Sequence, residues 1–254
     1  MSALHWDYPK AQVIPSPNHG ERIGTDRPDI LLLHYTGMPS AEGARDWLCT
    51  PEAQVSCHYL VYEDGRVDQL VPEARRAWHA GKSLWQGESD INSRSIGIEI
   101  ANPGHPGGLP PYPDRQIAGL IELCQFCVNR WSIPPERVLA HSDVAPIRKV
   151  DPGEVFPWKI LYEKGVGHWV APTPISGGRF FQLGDVGQPV EAIQSMLSLY
   201  GYGIEIDGHF GPKTAGVIEA FQRHFRPARI DGIADISTLD TLHRLLASLP
   251  TFSS

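Results

Sequence analysis

An uninterrupted run of four apolar residues at positions 30–33 is the feature that most constrains the fold of this chain. A strand with water on one face alternates apolar and polar residues, whereas a continuous apolar run predicts a strand covered on both sheet faces. We therefore predict a strand over residues 29–35. It ends in His34-Tyr35-Thr36-Gly37, which places an imidazole where the strand meets a turn. Such a histidine either projects into a cleft or is a hydrogen-bonded core residue.

Further along the chain, segments with a strand pattern alternate with segments that have a helix pattern. Strands are predicted at residues 55–62, 66–71 and 95–101, the first two joined by an Asp-Gly turn. Helices are predicted at residues 40–49, 114–131 and 156–163. Together these segments predict an α/β (α+β) protein with a central mixed β-sheet flanked by helices.

The second part of the chain has a different pattern. Proline, glycine and serine concentrate around residues 171–178, which indicates a linker. We place a domain boundary there, giving domains at residues 1–175 and 176–254. Apolar spacing in the second domain predicts three helices, and Asp207-Gly208 and Asp231-Gly232 suggest a weak internal repeat. The linker therefore separates the first domain from a small helical domain.

Composition excludes several classes of function. The 254 residues are 41% hydrophobic and 20% charged, which is typical of a globular protein. The net charge of −7 argues against nucleic-acid binding and gives no support to binding of anionic membranes. No apolar run approaches the ~20 residues of a membrane span. The N-terminus shows no basic segment followed by an apolar one, so no secretion signal is recognised.

Cys124 and Cys127 form a C-x-x-C pair, a spacing found in redox and zinc sites. Both also lie on the apolar stripe of the helix predicted at residues 114–131. No second pair is present to complete a zinc ribbon. The pattern therefore favours buried core thiols.

Residues 140–153 bring a histidine, a lysine and an aspartate into one loop stiffened by prolines. His141 can supply a ring nitrogen and Asp151 a carboxylate oxygen to a metal, while an ion-paired surface loop is the alternative. Lys149 would be costly to bury unless it has a function. If His34 joins these two ligands, a tetrahedral zinc keeps one open position for water, as in catalytic sites.

The predicted strand at residues 95–101 contains a second unusual group. Its alternation places Glu99 on the face opposite Ile98 and Ile100. A carboxylate within such an apolar strand indicates a function.

Five motifs follow one another along residues 28–162. They are His34-Tyr35-Thr36, Val55-Ser56-Cys57-His58-Tyr59, Trp78-His79-Ala80-Gly81, Asn92 with Ser95-Ile96-Gly97-Ile98-Glu99, and His141-Ser142-Asp143 through Lys149-Val150-Asp151-Pro152-Gly153. In this order they resemble the AmpD/AmiD-type N-acetylmuramoyl-L-alanine amidases of the amidase-2 group, which are related in fold to peptidoglycan recognition proteins. The C-terminal part, with Gly184-Asp185, Asp207-Gly208 and Asp231-Gly232, resembles the three-helix peptidoglycan-binding domain of wall hydrolases.

The resemblance implies a role for each residue of the site. His34, His141 and Asp151 would bind Zn²⁺. Glu99 would be the general base that passes a proton from water to the leaving amine, and Lys149 would stabilise the oxyanion. The implied substrate is the lactyl–L-alanine amide that joins the peptidoglycan glycan to its stem peptide, so the expected partners are peptidoglycan and muropeptides.

One position departs from the family pattern. Some relatives carry a tyrosine immediately before the histidine of the second motif, where this chain has Cys57. The absence of that tyrosine places more of the proton transfer on Glu99.

Four further residues are candidate substrate contacts: His58, Trp78, His79 and Asn92. Trp78 could stack on a sugar or could belong to the core. The histidines could line the cleft or could be satisfied by backbone groups.

Two other functions remain open at this stage. One is a peptidoglycan-binding protein without activity, and the other is a zinc peptidase that cuts within the stem peptide. A wall-binding domain favours the periplasm, whereas the missing signal favours the cytoplasm or an unconventional export route. The sequence does not distinguish 1,6-anhydro fragments from intact polymer as the substrate, nor does it define the oligomeric state.

Overall fold

The computed structural model describes residues 6–249. The strands are β1 (Gln12–Val13), β2 (His19–Gly20), β3 (Ile30–Tyr35), β4 (Tyr59–Val61), β5 (Val67–Gln69), β6 (Arg76–Ala77), β7 (Ser95–Ile100) and β8 (Val138–Ala140). The helices are α1 (Ala41–Leu48), α2 (Ile91–Arg94), α3 (Asp114–Trp131), α4 (His141–Val144), α5 (Trp158–Glu163), α6 (Gln188–Tyr200), α7 (Pro212–Phe225) and α8 (Ile236–Ala247). Short 3₁₀ turns lie at Pro51–Ala53, His105–Gly107 and Pro135–Arg137.

Six of these strands form one mixed sheet in the order β1-β5-β4-β7-β3-β8. The four strands β4, β7, β3 and β8 run parallel to one another, whereas β5 runs antiparallel to β4. A separate two-stranded sheet pairs β2 with β6. The predicted fold class, a central mixed sheet with flanking helices, is confirmed.

Strand β3 is covered on both faces, as its apolar run predicts. Leu31 and Leu33 point into a core that includes the apolar stripe of α3. Ile30 and Leu32 point the opposite way, into a core that includes residues of α6, α7 and α8. All four side chains are 0% exposed. His34 continues the alternation on the face of Ile30 and Leu32.

Local signals place the helices of the first domain. Helix α1 begins after Ser40, whose hydroxyl caps the helix by accepting a hydrogen bond from Gly43 N at 3.2 Å. Helix α3 covers the predicted residues 114–131. Cys124 and Cys127 are fully buried, free thiols in its core-facing stripe, which confirms the structural interpretation of the C-x-x-C pair. Within residues 6–249, no helix is both long and apolar enough for a membrane span.

The internal repeat of the C-terminal part has a physical basis in two buried glutamines. Gln194 on α6 accepts hydrogen bonds from Asp207 N and Gly208 N, and donates to Asp207 Oδ1 and His209 O. Gln222 on α7 makes the same four types of contact with the second Asp-Gly turn. In both turns the glycine has φ of +69°, a conformation that favours glycine.

Replacing Gln222 with leucine is expected to lower the free energy of unfolding by about 3 kcal/mol, because one buried and one partly buried backbone N–H group would lose their acceptor. Urea unfolding measures the change. Gln188→Leu, the same substitution at an exposed position of α6, is the control. Equal stability of the two variants would show that the glutamine contacts do not hold the turn.

The C-terminal helices, which follow the predicted linker, pack directly against the central sheet region. Trp85, in the loop before α2, is 0% exposed and lies edge-on to Tyr202, with ring centroids 5.0 Å apart. Gln86 N donates to Gly201 O at 2.8 Å across the same boundary. The core around Trp85 contains residues of both parts of the chain. The linker thus connects two parts that share apolar packing.

Candidate active site

Three parallel strands place the polar residues of the site in one row. In the pairing of β3 with β7, His34 lies opposite Glu99. In the pairing of β3 with β8, Leu33 lies opposite Ala140, so His141 follows beside His34. All three residues therefore meet at the carboxyl edge of the sheet, where ligand sites of α/β proteins usually lie.

His34, His141 and Asp151 converge on one point. His34 Nδ1 lies 2.9 Å from His141 Nδ1 and 3.1 Å from Asp151 Oδ2, and His141 Nδ1 lies 3.0 Å from the same oxygen. All three side chains are buried, and their ligand atoms lie within 4.8 Å of one another. These residues, which the sequence predicts as ligands, could hold a metal ion.

The charge state of the cluster suits metal binding. Burial and the neighbouring His141 lower the pKa of His34 to about 4, so its imidazole is neutral at pH 7. Burial alone would raise the pKa of Asp151, but His141 and His34 outweigh it and hold that pKa well below its usual value. Neutral imidazoles and an ionised carboxylate are the forms that ligate metals.

The second nitrogen of each histidine has a protein partner. His141 Nε2 lies 3.0 Å from Ala80 O, a contact that requires the proton on Nε2 and leaves Nδ1 free as a ligand. His34 Nε2 lies 3.0 Å from His79 Nδ1, and His79 Nε2 lies 3.3 Å from Ser95 Oγ. His79 thus orients the ligand residue His34 through the ring nitrogen that does not face the cluster.

Asn92 and Gly97 hold His79 and Ala80 in place; we call these four residues the supporting layer of the site. Asn92 Oδ1 accepts from His79 N at 3.0 Å and from Ala80 N at 2.8 Å. A side chain at position 97 would lie 2.6 Å from the His79 ring, so only glycine allows the ring to sit there. The structure gives Asn92 this backbone role and does not place it in the pocket wall.

Replacing His79 with phenylalanine is expected to lower metal affinity about 10–100-fold, because His34 Nε2 would lose its acceptor while the ring volume is kept. Competition with a chromophoric chelator measures the affinity. His209→Phe, at an exposed position, is the control. An unchanged affinity in His79→Phe would contradict the supporting role.

Glu99 and Lys149 line the same cleft of about 370 Å³ as the cluster. Glu99 Oε2 is enclosed and has no hydrogen-bond partner among residues 6–249. Burial raises the pKa of Glu99 well above its usual value, Asp151 adds to this effect, and Lys149 opposes it. A carboxyl group without a hydrogen-bond partner, beside residues that could hold a metal ion, is a candidate proton acceptor.

The outer cleft wall is apolar and includes residues that sequence reasoning missed. Trp78, a predicted substrate contact, lines the cleft, as do Met38, Trp47 and Val55. Trp47 is 49% exposed and lies outside the buried stripe of α1. A large aromatic residue on the polar face of an amphipathic helix was the signal available in the sequence.

His58 and Cys57 lie behind the cleft. His58 is fully buried; its Nδ1 accepts from Gly97 N at 2.9 Å, and its Nε2 lies 3.0 Å from Arg75 O. Burial lowers the pKa of His58 to about 3. Cys57 is also buried and donates to Tyr59 O. The structure therefore gives His58 a backbone-bonding role, the structural alternative considered above.

The site combines two imidazoles and a carboxylate whose donor atoms converge on one point, and a glutamate without a hydrogen-bond partner among the described residues lies beside them in the cleft. This arrangement defines the class of single-metal hydrolytic sites. The sequence matches the N-acetylmuramoyl-L-alanine amidase family over residues 24–154 and a peptidoglycan binding domain over residues 186–242. The chain belongs to the N-acetylmuramoyl-L-alanine amidase family, and the resemblance inferred from its motifs is confirmed.

Relatives of known sequence agree with this assignment. The chain is 38% identical over 232 residues to the N-acetylmuramoyl-L-alanine amidase AmiD of Escherichia coli K12, covering 85% of this chain and 82% of AmiD. It is 34% identical over 165 residues to the 1,6-anhydro-N-acetylmuramyl-L-alanine amidase AmpD of Enterobacter cloacae, covering 58% of this chain and 86% of AmpD.

Solved structures show the same fold. A complex of E. coli AmiD with anhydro-N-acetylmuramic acid-L-Ala-D-γ-Glu-L-Lys superposes with a TM-score of 0.75 at 35% identity, covering 90% of this chain and 97% of AmiD. AmpDh3 from Pseudomonas aeruginosa gives a TM-score of 0.73 at 30% identity, covering 97% and 99% of the two chains. The chain is thus a hydrolase of amide bonds.

Proposed function

We propose that this chain is a zinc-dependent amidase that cleaves the lactyl–L-alanine amide between a peptidoglycan glycan and its stem peptide. The convergence of His34, His141 and Asp151 beside the unpaired Glu99 carries the proposal. AmiD and AmpDh3 have been solved with anhydromuramic peptides, which supports the same class of substrate here.

The donor set favours zinc over other metals. Imidazole nitrogens suit Zn²⁺, whereas Mg²⁺ and Ca²⁺ prefer sites made of oxygen atoms. Donor atoms of a tetrahedral zinc site, with bonds of ~2.0–2.1 Å, lie about 3.3 Å apart. The spacings of 2.9, 3.1 and 3.0 Å in the cluster are close to that value. When bound, zinc supplies Lewis-acid activation of water and of the amide carbonyl.

Glu99 moves the proton in this proposal. Its enclosed Oε2 has no hydrogen-bond partner among the described residues, and burial raises the pKa of Glu99, which makes its carboxylate a stronger base. Glu99 therefore accepts a proton from the attacking water and returns it to the nitrogen of the departing L-alanine.

Lys149 stabilises the negative charge that develops on the amide oxygen. It lines the cleft together with Glu99. Within residues 6–249, the lysines with a carboxylate partner are Lys10 and Lys159, so the ammonium of Lys149 is available to substrate. A fixed cation aimed at a developing oxyanion is among the larger contributions to catalysis.

Product analysis tests the proposal. The purified protein with Zn²⁺ is incubated with a soluble anhydromuropeptide, and the products are identified by mass spectrometry. We expect a stem peptide with a free L-alanine amine and a glycan with a free lactyl carboxylate. A muramyl product that keeps its alanine would identify a stem peptidase instead, and an intact substrate would identify a binding protein.

We further propose that the enzyme acts on the wall in the periplasm. The match to a peptidoglycan binding domain at residues 186–242 supports this location, because such a domain requires access to polymer. Cell fractionation of the host with a specific antibody tests it. Retention of the protein with cytoplasmic markers would contradict the proposal.

A further inference from the structure

A second hollow, here called the junction groove, lies where the amidase sheet region meets the C-terminal helices. Its volume is about 400 Å³, within the range of ligand sites. The residues that define it are Lys82, Leu84, Ile147, Arg148, Gly203 and Lys213. The first four belong to the amidase part and the last two to the C-terminal part, so neither part forms the groove alone.

The groove adjoins the active-site cleft but is separate from it. The two hollows have no lining residue in common, although Arg148 in the groove directly precedes Lys149 in the cleft. Arg148 Nη2 donates to Ala80 O at 2.6 Å and to Lys82 O at 2.9 Å. This bridge fixes the Arg148 guanidinium against the backbone of residues 80–82.

Positive charge dominates the groove. Lys82, Arg148 and Lys213 are exposed, and no carboxylate lines the groove within the described part of the chain. Lys213 is the second residue of α7, where the helix dipole adds to the positive potential. Three cations without a carboxylate partner among the described residues, in a protein of net charge −7, mark a site for an anionic ligand.

The floor of the groove is apolar. Ile147 is 68% exposed and Leu84 is 37% exposed, although both are aliphatic. An apolar floor between cations suits a peptide that carries carboxylates on a partly aliphatic backbone, more than it suits an inorganic anion.

Peptidoglycan supplies such peptides repeatedly. In the ligand solved with AmiD, glutamate is linked through its γ-carboxyl group, which leaves its α-carboxylate free. Each stem peptide along a glycan strand therefore carries at least one carboxylate, including the stem peptides next to the one that is being cleaved.

We propose that the junction groove binds a second, uncleaved stem peptide of polymeric peptidoglycan through its carboxylates. This inference rests on the proposed amidase function and adds a preference for polymer. Arg148 and Lys213 hold the anions from the two sides of the groove, and Lys82 extends the positive rim.

The test compares two substrates and two double variants. Lys82→Glu/Lys213→Glu reverses charge in the groove, and neither residue belongs to the catalytic cleft. Lys159→Glu/Lys164→Glu makes the same charge change at two exposed positions, one in α5 and one directly after it, and is the control. Release of stem peptides is measured on a soluble anhydromuropeptide and on intact sacculi, at low and high salt. Circular dichroism and thermal melting establish that each variant is folded.

We expect the groove variant to keep the wild-type kcat/KM on the soluble substrate. On sacculi at low salt, its rate of stem-peptide release should be about tenfold lower than that of the wild type. The loss should shrink as salt rises, because screening weakens the wild-type contacts. Equal activity of both variants on sacculi would overturn the proposal, and so would a matching loss on the soluble substrate. Wild-type protein inactive on both substrates would instead refute the amidase function.

Discussion

The variant Glu99→Gln is expected to retain metal while losing turnover by about 10²–10⁴-fold, the usual contribution of a general base. Glutamine keeps the shape of the side chain but cannot accept the proton of the attacking water. Because Glu99 is outside the cluster formed by the three ligands, the metal content should not change. Metal analysis and stem-peptide release, measured on the same preparation, check both parts of the expectation.

Two comparisons make this result specific. His34→Ala should lose metal and turnover together, because it removes one of the three ligands. Glu122→Gln, at an exposed position of α3, makes the same chemical change away from the cleft and should match wild type. Near-normal turnover in Glu99→Gln would mean that another group takes the proton.

Removal of residues 176–254 is expected to destabilise the amidase part itself, not only to weaken its attachment to the wall. The deletion would expose Ile30, Leu32, Leu139 and Trp85, which are now at most 1% exposed in the shared core. At ~2 kcal/mol for each fully buried side chain, these four amount to about 8 kcal/mol, within the ~5–15 kcal/mol of a typical domain. We expect aggregation or a much lower melting temperature, with activity lost on soluble and insoluble substrates alike.

The ligand loop would be affected by the same deletion. Asp143, two residues after His141, is fully buried and accepts hydrogen bonds from Tyr202 and His224 at 2.8 and 2.7 Å. The His224 ring in turn stacks on Trp158, with centroids 3.7 Å apart. Without the C-terminal helices Asp143 would lose both partners, so metal affinity should fall as well.

A point variant tests the shared core without a truncation. Trp85→Ala should lower the free energy of unfolding by about 3–5 kcal/mol, because it empties a buried aromatic site between the two parts. Phe180→Ala, an aromatic residue that is 50% exposed, should change it by less than about 1 kcal/mol. A truncated protein with wild-type melting temperature and soluble activity would instead support a separate anchoring domain.

Much of the fold could be predicted because its signals are local. The apolar run of β3, the N-cap at Ser40 and the stripe of α3 depend on residues a few positions apart. The Asp-Gly turns of the C-terminal part are local signals too. The glutamines that organise them precede the turns by 13 residues in α6 and by 9 residues in α7, and their hydrogen bonds became evident only in the structure.

The supporting layer of the site was harder to predict. His79 and Asn92 were candidates for substrate contact. The structure places both in hydrogen bonds that support the ligands, to His34 and to the backbone, and His79 also lines the cleft. A histidine in a loop has the same sequence signal in either role. Only the direction of its ring nitrogens distinguishes substrate contact from support of a metal ligand.

The sequence by itself determined which groups can do chemistry: a histidine at a buried strand end, a carboxylate in an apolar strand, and a loop with His141, Lys149 and Asp151. Tertiary structure alone decided that Glu99, His34 and His141 form one row, because that depends on the register of β7, β3 and β8. It also decided that the C-terminal helices cover the sheet. Trp85 and its aromatic partners are far apart in sequence, and apolar spacing shows that a face is buried without showing what buries it.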